Sequence, residues 1–185
     1  ATNMMLAGWS NRGVNLWAVD LVTTTLVAGT ATYAVDPSIM VVLDAYITTG
    51  TTDRIILPIS RTEYASYPNK TQQGYPTVFW FNRLLSPTIT LWPTPDGVNG
   101  TSLKYYRVRQ IQDAALTNGQ TVDVPQEWLE AFVNGLAFRL AAIWNPAVAI
   151  GLKTLADEAY TIAAEQNIET AQQYITPMLG GYFRR

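Results

Sequence analysis

The chain has 185 residues, of which 48% are hydrophobic and only 14% charged, with a formal net charge of −2. It contains neither cysteine nor histidine, which excludes disulfides, thiolate nucleophiles, Cys-type zinc sites and the commonest general base and metal ligand. The slightly acidic balance also argues against broad electrostatic capture of nucleic acid, which needs clustered cations.

The length suits one domain with a real core. Low charge together with six Trp and ten Tyr suggests aromatic surface covered by other subunits, since interface cores are rich in aromatics and poor in Lys and Glu. The plainer alternative is a well-filled core with scattered exposed tyrosines. No apolar run approaches the roughly 18 residues of a membrane span, and no signal-peptide pattern opens the chain. The expectation is a soluble protein, without a membrane partner, assembled in a cytoplasm.

Residues 1–12 read as the end of an amphipathic helix, with Met4, Met5, Gly8 and Trp9 on neighbouring faces. Because residue 1 is Ala, the expectation is that further residues precede it. Residues 14–19 alternate like a strand. Segments 23–27 and 31–35 flank Ala28-Gly29-Thr30 and predict a hairpin turning at Gly29. After the turn Asp36-Pro37-Ser38, a long strand is predicted over 39–48. Its return over 53–59 has Pro58 marking an edge or an end. Ser60 and Glu63 form a capping box that predicts a helix from Arg61 to about Tyr67. Three more strands follow at 77–82, 88–92 and 103–110, with a strong turn signal at 93–97. Residues 113–123 read as a polar loop.

Sustained helical periodicity begins at Pro125, a residue suited to a first helical position. Trp128, Leu129, Phe132, Val133, Leu136, Leu140 and Trp144 share one wide face, and Asn145-Pro146 stops the helix. A second helix carries a buried stripe through Leu152, Leu155, Ala156, Ala159, Ile162 and Ala163. From 165 to 173 its apolar content falls, so this end projects into solvent or meets a partner. Running to about residue 176, it would reach roughly 40 Å, more than a small domain needs. Strands followed by helices give an α+β fold. A single domain is expected: an N-terminal helix end (1–12), a β-rich region of about seven strands (14–111), a two-helix stem bundled with the first helix (125–176) and a tail (177–185).

Without His or Cys, acid–base chemistry would fall to Asp96, Asp113, Asp123, Glu127 and Glu130, but each has an ordinary turn or helix-start role. Lys104, Arg107 and Arg109 interleave with Tyr105 and Tyr106 on both faces of one strand, which suits pairing or interfaces better than a nucleic-acid platform. Tyr75, Phe79, Trp80, Phe81 and Trp92 would suit a carbohydrate surface or, more simply, cross-strand packing. No residue set points to a metal or cofactor, and no enzyme activity is expected.

Read in order, the segments 25–33, Asp44-Ala45-Tyr46, 59–64, 67–70, 74–76, Phe79-Trp80-Phe81-Asn82-Arg83, 91–96, Tyr105-Tyr106-Arg107-Val108-Arg109 and Asp123-Val124-Pro125 resemble the head-to-tail adaptors of short-tailed bacteriophages, also called connectors or tail accessory factors. Members usually begin with a further helix, which this sequence lacks. The resemblance implies a structural virion protein: a homo-oligomeric ring of about twelve copies under the portal protein, with two different contact patches per subunit. It would extend the DNA channel to the next tail or nozzle protein and help retain and eject the genome, DNA passing without sequence-specific binding. No catalytic residue is carried over. Expected portal or ring contacts are Gln166, Gln172, Gln173, Tyr174, Tyr182, Phe183, Arg184 and Arg185, the tail pairing aromatics with Arg as hot spots do. Expected subunit or tail contacts are Tyr67, Lys70, Tyr75, Arg107 and Arg109. The runner-up is a tail-associated carbohydrate-binding or glycan-cleaving protein.

Overall fold

The structure, a computed structural model, describes residues 1–13, 16–111 and 122–168. Helix α1 (Thr2–Ser10) and a 3-10 turn (Leu16–Ala18) lead into β1 (Val19–Thr25), β2 (Thr32–Ala34), β3 (Ile39–Thr49) and β4 (Thr52–Pro58). Helix α2 (Arg61–Ser66) precedes β5 (Gln73–Gly74), β6 (Val78–Asn82), β7 (Thr88–Trp92), β8 (Thr94–Pro95) and β9 (Ser102–Arg109). A second 3-10 turn (Gln126–Trp128) opens α3 (Leu129–Trp144), and α4 (Pro146–Gln166) follows. The class is α+β, with a curled seven-stranded sheet in the order β1-β9-β3-β4-β6-β7-β2 and a small β5-β8 pair.

Local chemistry explains several boundaries. The β3–β4 hairpin closes with Thr49 opposite Thr52, and Gly50 takes the positive φ that a two-residue loop requires. The Ser60 side chain accepts the Glu63 N–H and starts α2. Pro146 begins α4 where its missing N–H is harmless, directly after Asn145 ends α3.

Four expectations need correction. Residues 16–18 form a 3-10 turn, not a strand, because Trp17 packs on Trp128 with ring centroids 4.9 Å apart. The chain does turn at Gly29, but no hairpin forms there. β1 pairs with β9 and β2 with β7, so the two arms become opposite edges of the sheet. The 93–97 turn contains β8, which pairs with β5, and the tight bend lies beyond it at Asp96 and Gly97. Finally, α4 stops at Gln166 instead of running to about 176. The Asn167 side chain accepts the Leu16 N–H at 3.1 Å, an alternative to helix continuation that Asn side chains favour. At 21 residues α4 spans about 31 Å. The polar loop expected at 113–123 falls mostly outside the described residues.

Two cores result. Leu26, Tyr33, Ile47, Ile56, Phe79, Leu91, Leu103 and Tyr105 fill the curl of the sheet. Met5, Leu6, Trp9, Ile111, Trp128, Ala131, Ala159 and Ala163 form a helical core at the end of β9. Trp9, Trp128 and Tyr160 meet there with centroids 5.4 to 5.9 Å apart, tilted and edge-on contacts of the kind aromatic quadrupoles favour.

Candidate assembly surfaces

The acids considered for catalysis do not converge. Asp96 accepts the backbone N–H groups of Val98 and Asn99 and the Asn99 amide, all within the same turn. These bonds, those to Asn99 foremost, hold its carboxyl below the usual value. Asp123 pairs with Arg109. Glu127 and Glu130 sit exposed at the start of the helical segment, where negative charge suits the dipole. Asp113 lies outside the described residues. Among the described residues no cluster of acidic side chains has the composition of a metal site.

The cations of β9 are likewise committed within the chain. Arg107 grips Asp20 through both carboxylate oxygens, at 2.6 and 3.1 Å, and reaches Asp36 at 3.5 Å. Its hydrogen bond to Asp20 is the main cause of its raised pKa. Lys104 lies 3.5 Å from Asp53. With each charge facing a carboxylate, this strand presents no open row of cations to a phosphate backbone.

The aromatic region is a packed ladder. Tyr67 stacks on Trp92 at 4.1 Å and Tyr64 on Trp80 at 5.4 Å, so α2 is fastened to the sheet by its rings. Lys70 Nζ donates to the carbonyls of Ala65 and Tyr67, capping the end of α2. Trp92 Nε1 donates to the Asn69 carbonyl. The Tyr75 hydroxyl donates to the Ile47 carbonyl, while Arg54 lies over its ring. Rings stacked on one another in this way have few free faces for a sugar. Tyr67, Lys70, Tyr75, Arg107 and Arg109 all border the sheet and all have contacts within the chain.

The helices carry a feature that periodicity alone misplaced. Leu129, Val133, Leu140, Ile143 and Trp144 of α3 are exposed, Trp144 to 82%. So are Val148, Ile150, Leu155 and Ile162 of α4. Several of these were expected in buried stripes. The residues actually covered on α4 are the alanines Ala149, Ala156, Ala159 and Ala163, which let the helices approach closely. The larger side chains beside them are left outside. Val148, Leu155 and Ile162 share one side of α4 while Ile150 lies on the other, and an exposed apolar row of this kind is a usual mark of a protein interface.

Gln166 is the last, exposed residue of α4. Gln172, Gln173, Tyr174, Tyr182, Phe183, Arg184 and Arg185 lie outside the described residues. Sequence reasoning missed Leu84 and Leu85, both exposed on the β6–β7 connection. Their signal was available: two consecutive leucines in a segment with no strand or helix partner.

The chain matches the family described as SU10 adaptor protein over residues 2–178. No curated protein matches it.

Proposed function

The chain belongs to the SU10 adaptor protein family, and from that membership, together with its uncovered helical face, we propose a mechanical role at the head-to-tail junction. The resemblance to phage head-to-tail adaptors is borne out, and this is a phage adaptor protein. Such a family is structural rather than catalytic, supplies a virion component, and implies contacts with portal and tail proteins.

The subunit assembles into a ring of about twelve copies, closed by heterologous contacts. The ring sits under the portal, extends the DNA channel to the next tail or nozzle protein, and helps retain and then eject the genome. Helices α3 and α4 act as the stem of this assembly, packed with α1. Gln166, Gln172, Gln173, Tyr174, Tyr182, Phe183, Arg184 and Arg185 contribute to the portal or ring contact. Tyr67, Lys70, Tyr75, Arg107 and Arg109 contribute to contacts with neighbouring subunits or the tail. Because Arg107 and Arg109 already have carboxylate partners, they would act there as shaped, neutralised surface. Assembly takes place in the host cytoplasm.

The observation that carries this reading is the exposed apolar face of α3 and α4, bounded by Leu129, Trp144, Val148 and Ile162. Trp144, 82% exposed at the end of this row, adds apolar area that a partner would cover. Co-purification with a portal ring tests the tail's part. Deleting residues 177–185 is expected to abolish capture by the portal; undiminished capture would remove the tail from the account.

A further inference from the structure

The connection between β6 and β7 carries Arg83, Leu84 and Leu85 at its tip. Leu85 is 98% exposed and Leu84 62%. Neither has a place in the two cores. The Arg83 guanidinium leans over the Phe81 ring at 5.8 Å, so the tip presents two apolar side chains beside one positive charge.

A complementary surface exists elsewhere on the same chain. On α4, Val148, Leu155 and Ile162 recur every seventh residue, and on α3 Val133, Leu140 and Trp144 recur at spacings of seven and four. Each set therefore lies in one row along its helix. Gly135, against which Met5 of α1 is seated, lies well round the α3 helix from its row. The apolar rows thus face away from α1. Arg12, Arg139 and Lys153 line a small cavity on the α1 side, together with Asp157. Glu130, Glu158 and Glu165 lie within one turn of the apolar rows, and all three are exposed.

We propose that the Arg83-Leu84-Leu85 tip of one copy seats on the apolar α3–α4 face of the next copy, with Arg83 turned towards Glu158. Leucines meet leucines, and the charge of the tip opposes the charge of the border. The topology places both partners suitably. Ile111, just after β9, enters the helical core, so the helices lie at the C-terminal end of β9. β3 is antiparallel to β9, β4 antiparallel to β3, and β6 parallel to β4. The end of β6, and with it the tip, therefore points to the same end of the sheet, three strands across from β9. A knob on one side and a socket on the other, at one level, make a head-to-tail contact that repeats around a ring. This inference rests on the ring reading above and identifies the surfaces that close it.

The absence of cysteine makes disulfide trapping a clean test. A Leu85→Cys, Leu155→Cys double variant, mixed with portal rings and oxidised, is expected to give a ladder of covalent multimers on a non-reducing gel. Equal mixtures of the two single variants should stop at a pair containing one of each. In parallel, Arg83→Glu should weaken self-association by about tenfold, and adding Glu158→Arg should restore it. If native mass spectrometry shows the multimer but no Leu85–Leu155 ladder forms and the charge reversal restores nothing, the docking is overturned while the ring stands. If no multimer forms at all, the ring reading falls and this contact with it.

Discussion

The backbone N–H of Ile111 donates to the Ser10 hydroxyl at 3.2 Å in a buried setting, although the two residues are 101 positions apart. This bond ties the last turn of α1 to the exit of β9, where the helical core meets the sheet. Ser10→Ala leaves a buried donor unpaired and is expected to lower stability by about 1–3 kcal/mol. Urea denaturation of the variant reads this directly; an unchanged midpoint would mean that the junction is held by apolar packing alone.

Gly97 and Gly151 should respond in opposite directions to the same substitution. Gly97 has φ +80°, and an added Cβ would lie 2.9 Å from the Ala28 Cβ. Gly97→Ala should destabilise by more than about 1 kcal/mol. Gly151, exposed in the second turn of α4, has nothing within 4 Å of an added Cβ. Gly151→Ala should stabilise by about 0.5–1 kcal/mol. Thermal melts of the two variants on either side of the parent would bear this out.

Trp128 and Trp144 separate folding from assembly. Trp128 is buried at the centre of the helical core, and truncation to Ala should cost about 3–5 kcal/mol. Trp144→Ser should leave monomer stability within about 0.5 kcal/mol while weakening capture by portal or by other copies. A Trp144→Ser chain that assembles as well as the parent would show that this end of the face is free in the ring.

Acid should loosen the turns before it touches the cores. Asp36 is held below the ordinary carboxylate value mainly by hydrogen bonds from Ser38, and Asp96 by those from Asn99. A depressed folded-state pKa stabilises above the unfolded value of 3.8 and is lost as pH falls through the folded one. Stability should therefore be flat at neutral pH and decline below about pH 4. Asp36→Asn and Asp96→Asn should flatten that decline, which melts at pH 3 and pH 7 would register. Asp36 is exposed and Asp96 only partly covered, so each effect is small.

Much of the fold was legible because its signals are local. Ser60 as the cap of α2 and Asn145-Pro146 between the two helices each act within a few residues, and each sits where expected. The Gly29 hairpin failed for a different reason. The turn is local, but which strands its arms join is decided by β9 and β7, 54 to 89 residues away. The end of α4 was misplaced because no Gly or Pro marks it; Asn167 leaves the helix to accept a hydrogen bond from Leu16. The buried and exposed rows of α3 and α4 were confused because periodicity reports that a helix has an apolar face, not how much of that face its own chain can cover. Leu155 and Ile162 look like core in sequence and stand at the surface in space. The contact residues beyond 168 lie outside the described residues, and the sequence alone supports them.

The most direct test of the central claim is the native mass of the protein alone and after mixing with a portal ring. The account predicts a shift to a complex carrying about twelve copies once the portal is present. A chain that remains monomeric in both samples, with its α3–α4 face still open to hydrophobic dyes, would contradict it.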